Sequence, residues 1–345
     1  MLQQRLALIL DWYKGMISDR TGRLVYSYEP ETDAAISNGS HIRDIASIWD
    51  MEFLSNFLQR SDLNPLIERS LRHYADYVVA QDGALVLDSA RLGEPSGIAH
   101  SAFMLLTLLD AAPAVDVPQR SSTIAGLAEG LLRQQRQDGS YRIYFGDEAD
   151  EGLEFYPGEA MLALMRAYAL ARENRYLRSV QHGFRFCRRN FPDDAIASDL
   201  RVFYANWQSQ YAGLLHENTP SKTLRRMIRE YVFTLHDRII REHFYEDIER
   251  LPMQQATVEI ACALEGLNDA YAIAAREEDR TRMGIYERCV RTALAWLLRA
   301  QRIDQCTSRE KGGFGHSLVE RKQRIDVTGH VVGGFIKSVR NGISV

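Results

Sequence analysis

Apolar residues recur at i, i+3, i+4 and i+7 in LRHYADYVV (Leu71 to Val79), IAGLAEGLLRQQ (Ile124 to Gln135) and CVRTALAWLLRAQ (Cys289 to Gln301). That spacing predicts helices with one buried face. Six other stretches are apolar nearly all round and rich in small residues. They open near Arg43 and Asp44 (HIRDIASIWDMEFL), His100 (GIAHSAFMLLTLL), Glu159 (YPGEAMLALMRAY), Gln208 (NWQSQYAGLL), Glu259 (ATVEIACALEGL) and His330 (VTGHVVGGFIKSV). A helix apolar on every side is a helix enclosed on every side.

The two kinds of stretch alternate, joined by turn-forming loops such as AQDGAL, RQDGSY and REKGGFG. The enclosed stretches start about 50 to 70 residues apart, a repeat period that sets the architecture. The expectation is an all-α (α/α)6 toroid of six helical hairpins, one domain over residues 1–345, with the enclosed helices as the inner ring. LVYSYEP, YRIYFG and LRVFYANW are short and β-prone, and are expected as ribbons at the cavity mouth. Asn38 or Ser40, Ser96 and Thr328 are expected to cap helices, and Pro157 and Ser209 to open them. The connection from Cys306 to Asp326 reads as a lid or an ordered loop.

A toroid gathers the first turns of its inner helices around one cavity, where their N–H groups favour negative charge. His100, Glu159, His330, Glu259 and Tyr156 are therefore the candidate acid–base residues. Arg43, Asp44, Trp207, Gln208 and Arg324 are the candidate substrate-binding residues. Carboxylates and imidazoles trade protons, aromatic rings stack on sugar faces, and amides and guanidinium groups bond hydroxyl and acidic groups. Each also has a plainer reading. A first-turn Glu answers the helix dipole, Asp44 is a structural ion-pair partner, and Trp207 and Tyr156 are core aromatics.

Charge narrows the classes. The chain carries 42 Lys and Arg against 46 Asp and Glu, which leaves no general basic footprint for nucleic acid. The basic runs RRMIR and RFCRRNF read as solvated helix faces. No apolar run approaches the length of a membrane span, and the N-terminal stretch reads as a first amphipathic helix, not a leader. The four scattered cysteines fit a reducing cytoplasm. HExxH, Walker, GxGxxG and GxSxG patterns are absent, so no metal and no cofactor is expected.

EFYPGEAMLALMRAYALARENRYL (Glu154 to Leu177) resembles the inner-helix stretch of sugar epimerases and six-hairpin glycosidases. LLRQQRQDGSY (Leu131 to Tyr141) is similar to the repeat of the more distant terpenoid cyclases, but no DxDD acid motif accompanies it. The resemblance implies three site chemistries. The 2-epimerases would use paired histidines, here His100 and His330. The C5-epimerases would use Tyr156 with Glu159. The hydrolases would use two carboxylates, Glu159 with Glu259 or Asp44. The expected function is a sugar or uronyl epimerase or isomerase with acid–base catalysis, acting on a sugar or glycan, including an acidic one held by Arg43 and Arg324. The alternatives are a glycoside hydrolase and a non-catalytic glycan-binding or assembly protein.

Overall fold

Small residues let helices approach closely, and the stretches that carry them line up side by side as the inner wall of a ring. The computed structural model describes residues 1–37, 39–191 and 195–345. Its helices are α1 (Leu2–Met16), α2 (His41–Leu58), α3 (Asn64–Ala75), α4 (Ser89–Leu92), α5 (Ile98–Asp110), α6 (Arg120–Arg133), α7 (Tyr156–Ala171), α8 (Asn174–Asn190), α9 (Arg201–Asn218), α10 (Lys222–Arg241), α11 (Phe244–Arg250), α12 (Thr257–Arg276), α13 (Arg280–Ala300) and α14 (Ile325–Arg340). Among the described residues, α2, α5, α7, α9, α12 and α14 each pack on the next, and α14 closes on α2. The outer helices α1, α3, α6, α8, α10 and α13 each bridge two neighbours of that ring. The protein is an all-α six-hairpin toroid. No helix among the described residues is long and apolar enough to cross a membrane.

Burial separates the two rings. Along α5 every residue from Ile98 to Leu108 is buried, whereas α3 buries only Ile67, Ser70, Leu71 and Tyr74, one face at i, i+3, i+4, i+7.

The β-prone segments divide. LVYSYEP supplies β1 (Ser27–Glu29), which pairs antiparallel with β2 (Ala34–Ile36) and with β5 (Gln323–Arg324). This small sheet joins the first hairpin to the last at the cavity mouth. A separate hairpin, β3 (Val78–Gln81) with β4 (Ala84–Leu87), follows α3. It takes up the end of LRHYADYVV, which is helical only as far as Ala75. YRIYFG makes only the isolated bridges of Tyr141 to Gln135 and Tyr144 to Gly97. LRVFYANW corrects the expectation, because it is the first two turns of α9. Enclosure on all sides rewards its large apolar groups and overrides their β preference. Gln208 and Ser209 are therefore two turns inside a helix, not at its start.

The caps differ as well. Ser40 does occupy the N-cap of α2, but without a side-chain bond. Gly97, not Ser96, precedes α5, and Arg324 precedes α14, with Thr328 inside the helix donating back to the Arg324 carbonyl at 3.2 Å. Asn38 lies outside the described residues. Pro157 does open α7.

The connection from Cys306 to Asp326 is an ordered loop. Trp12 Nε1 donates to Gln323 Oε1 at 2.8 Å, Gln323 Nε2 donates to the Glu310 carbonyl at 2.9 Å, and Arg321 forks onto the buried Glu310 carboxylate.

Asp44 is a pin of the same kind. Its buried carboxylate accepts from Leu24 N at 2.9 Å, Arg23 Nε at 3.1 Å and the Tyr74 hydroxyl at 2.6 Å. Those bonds tie the loop after α1 and the helix α3 to α2. Asp44→Ala leaves the buried Leu24 amide without its partner, removes the ion pair of the half-buried Arg23 and leaves the Tyr74 hydroxyl only His41 Nδ1, and is expected to cost about 3 kcal/mol. A urea titration reads this as a lower midpoint; an unchanged midpoint would show the pin to be dispensable.

Candidate functional site

The N-terminal halves of the inner helices surround a cavity of about 570 Å³. Its aromatic lining includes Trp49, Phe103, Tyr144, Phe155, Tyr156, Phe203 and Trp207, and its ionisable lining is Arg43, Asp50, Glu94, His100, Glu159, Glu265, Arg324, Asp326 and His330. Of the residues singled out in the sequence, His100, Glu159, His330, Tyr156, Arg43, Trp207 and Arg324 meet here. Glu259, Asp44 and Gln208 do not. Glu259 is on the first turn of α12, but the charges it feels are His316 and Asp199. Asp44 is the pin described above. Gln208 is buried in the wall, where its Oε1 accepts from the hydroxyls of Tyr211 at 2.6 Å and Tyr231 at 3.0 Å.

His330 stands at the centre. Its Nδ1 lies 3.0 Å from Glu265 Oε2, and its ring meets Trp207 edge-on with centroids 5.7 Å apart. Burial opposes a charge on the imidazole, but Cys262 and the Glu265 carboxylate outweigh it and hold the pKa well above the usual histidine value. The Cys262 thiol is itself pushed up by burial, so the lasting anion beside His330 is Glu265. Glu265 is in turn held by Asn206 Nδ2 at 3.1 Å and Lys337 Nζ at 3.4 Å. Burial would raise its pKa, yet Lys337, His330 and Asn206 lower it.

Two further carboxyl groups flank the imidazole. Burial pushes Glu159 up to about 8 and Asp50 up to about 8, and the His330 charge restrains both. Both carboxyls therefore lie within reach of the imidazole's charge. Glu159 Oε2 is buried with no hydrogen-bond partner. The helix α14 makes room for these acids with glycine. A Cβ on Gly329 would lie 1.8 Å from Asp50 Oδ2, and one on Gly333 would lie 2.1 Å from Glu265 Oε1. Any side chain at either position displaces a carboxylate from the site.

His100 is held differently. The Gly97 amide donates to its Nδ1 at 3.2 Å, which leaves the ring proton on Nε2, 3.1 Å from Glu94 Oε1. That bond, rather than burial, sets Glu94 below its ordinary value. Tyr156 is half-buried; burial, then the nearby Glu159, raises its hydroxyl pKa.

At the mouth, Arg43 and Arg324 each sit 5.5 Å from the Tyr26 ring centre, and both pair with Asp326. Arg201, the first residue of the inner helix α9, turns away to Glu242. Among the described residues, no group of three His, Cys, Asp or Glu side chains is placed to hold a metal ion.

Asp50 and Glu265 had not been singled out. Asp50 follows Arg43 by seven residues and Glu265 follows Val258 by seven, two turns down the same helix face. An acid at that spacing in an otherwise apolar stretch was the available signal.

No protein-family model matches the chain, and no curated protein sequence does. Solved structures do match over the whole length. The GH76A α-1,6-mannanase from Salegentibacter sp. HEL1_6 superposes with a TM-score of 0.69 at 10% identity, covering 99% of this chain and 100% of that one. A sugar epimerase from a ruminal bacterium gives 0.66 at 10% identity over 100% and 99%. The cellobiose 2-epimerase from Bacillus thermoamylovorans B4167 gives 0.66 at 11% identity over 97% of both. At such identities the likeness is one of fold.

Proposed function

We propose that this chain, a six-hairpin toroid of the kind found in sugar epimerases and α-mannanases, is a carbohydrate-active enzyme that epimerises or isomerises a sugar by acid–base catalysis. The observation that carries the reading is His330, charged by its contact with Glu265 and flanked by the raised carboxyls of Asp50 and Glu159, beside Trp207. Shifted acids in an aromatic cleft are the pattern of a working site, not of a vestigial one.

The chemistry follows from the proton affinities. A carboxylate whose pKa is near 8 is a much stronger base than an ordinary one. Once ionised, Glu159 takes the proton from the carbon beside the sugar carbonyl. The His330 imidazolium returns a proton to that carbon from its other face. The still-neutral carboxyl of Asp50 donates to the oxygen that gains charge between the two steps. Trp207 and Phe103 supply apolar surface for the sugar ring, and Tyr156, Arg43 and Arg324 meet its hydroxyl or acidic substituents. His100, with both ring nitrogens engaged, shapes the wall through Glu94.

Hydrolysis is the second reading, because a carboxyl kept neutral at pH 7 is what a glycosidase needs as its acid. Its partner would be Asp50, since Glu259 and Asp44 are outside the cavity.

The test is an NMR survey in D2O with a panel of sugars, uronic acids and oligosaccharides, repeated with Glu159→Gln. Deuterium entering a substrate C–H without bond cleavage supports epimerisation. New reducing ends support hydrolysis. Binding shifts with no turnover anywhere in the panel would sink both. Both readings use one of the two carboxyls ionised and the other protonated. Since Glu159 and Asp50 both have values of about 8, kcat is expected to rise about threefold from pH 7 to a maximum near pH 8 and to fall above it. A flat profile across this range would remove the pair from the chemistry.

A further inference from the structure

Behind the front cavity lies a second one, of about 350 Å³, among the last turns of the inner helices. Trp49, Asp50 and Glu265 border both spaces. The rear space is lined by the cations Arg166, Arg276, Lys337 and Arg340. Arg166 is paired with Asp110 and Arg276 with Glu217, and Arg340 lies over the Phe53 ring. Lys337 alone reaches forward. Its Nζ is 2.8 Å from Asp269 Oδ2 and 3.4 Å from Glu265 Oε1, and the other oxygen of Glu265 is the one that meets His330.

We propose that Lys337 is a positioning residue, which from the rear cavity holds Glu265 ionised and so fixes the proton on His330. The inference deepens the acid–base reading above and rests on it for its catalytic meaning. The geometry is a line of alternating charge, Asp269, Lys337, Glu265 and His330, running from rear solvent to the front cavity. Burial would neutralise Lys337, but Asp269 and Glu265 keep it charged. Gly333 admits the Glu265 carboxylate to this line, and Asn206 fixes its rotation from α9.

The other groups around His330 do not replace Lys337. Asp50 of α2 and Glu159 of α7 are raised carboxyls, and Cys262 of α12 is a raised thiol. Asp326, on α14 itself, is committed to Arg324 and Arg43. Tyr13 of α1 donates its hydroxyl to the Ile325 carbonyl. Lys337 is therefore the cation that stabilises the Glu265 charge from behind.

The experiment follows the imidazole nitrogens of His330 by 15N NMR across pH, in the ligand-free full chain. In Lys337→Met the proton affinity of the Glu265–His330 pair is expected to rise about tenfold, moving the acid-side step that reports Glu265 up by about one pH unit. Lys337→Arg is expected to keep the wild-type titration. An unmoved step in Lys337→Met overturns the proposal, as does a Lys337→Arg protein that behaves like the Met variant. If Lys337→Met does not fold, Asp269→Asn leaves Lys337 to Glu265 alone and is expected to move the step downward; no movement is again a refutation. Lys337 does not line the front cavity, so with a substrate in hand the change belongs in kcat and its pH profile, with KM unchanged. The titration needs no substrate. A panel without turnover would remove the catalytic reading and leave this linkage standing. A fixed titration would do the reverse.

Discussion

His330→Gln is expected to lower kcat by about 10³-fold on whichever sugar the panel identifies, with KM within a few-fold of wild type. Glutamine fills similar space and still offers an amide to Glu265, so Trp207 keeps its neighbour and the wall keeps its shape. What it cannot do is carry a transferable proton. General acid–base groups contribute roughly 10² to 10⁴ in rate, and His330 is the best-supported donor in the cavity. Its role also governs how Asp50 and Glu159 titrate, because the imidazolium restrains both. Without that charge both carboxyls hold their protons to higher pH, so the residual activity is expected to show its limb above pH 8. Retained kcat, or a loss confined to KM, would move the proton donor elsewhere, with Tyr156 the next candidate. Circular dichroism and tryptophan fluorescence separate loss of chemistry from loss of fold.

The ring was legible because its physics is periodic. Helices that bury every side need small residues, helices that bury one face need apolar stripes, and the chain alternates the two. The first turns of α2, α5 and α7 were placed correctly for the same reason, and α14 starts one turn earlier than read, with His330 in its second turn. The site was legible only down to those first turns. Asp50 and Glu265 sit two turns deeper, and reading them requires knowing which of several apolar faces points inward. Gly329 and Gly333 resolve that question, since each marks where a carboxylate crosses from a neighbouring helix. Asp44 shows the opposite limit. Its position beside Arg43 looks like a binding pair, but one residue along a helix is a turn of about 100°, enough to point Arg43 at the mouth and Asp44 into the core. In α9, β-prone composition hid the first two turns of the helix, because burial on all sides outweighs local preference.

Glu159→Gln is expected to inactivate the enzyme and stabilise it, and the two effects have one cause. Glu159 has a folded pKa of about 8 against an ordinary value of 4.5, because burial penalises its charge. Between those values the folded protein keeps a proton that the unfolded chain has released. The unfolded chain then binds fewer protons, so stability falls as pH rises through this window and is least impaired at its acid end. Glutamine does not titrate and escapes the penalty. Its advantage is expected to grow from about 1 kcal/mol at pH 5 to about 4 kcal/mol at pH 8, taking each pKa unit as about 1.4 kcal/mol. Thermal melts of both proteins at pH 5, 6.5 and 8 read this directly, as a gap in Tm that widens with pH. A constant gap would mean that the substitution acts through packing around the unpartnered Oε2 and not through charge. A gap that narrows with pH would mean that Glu159 is ionised in the folded protein, and the base proposed here would then be an ordinary carboxylate. A widening gap together with lost turnover would show that the toroid keeps a destabilising acid at its centre because the reaction uses it.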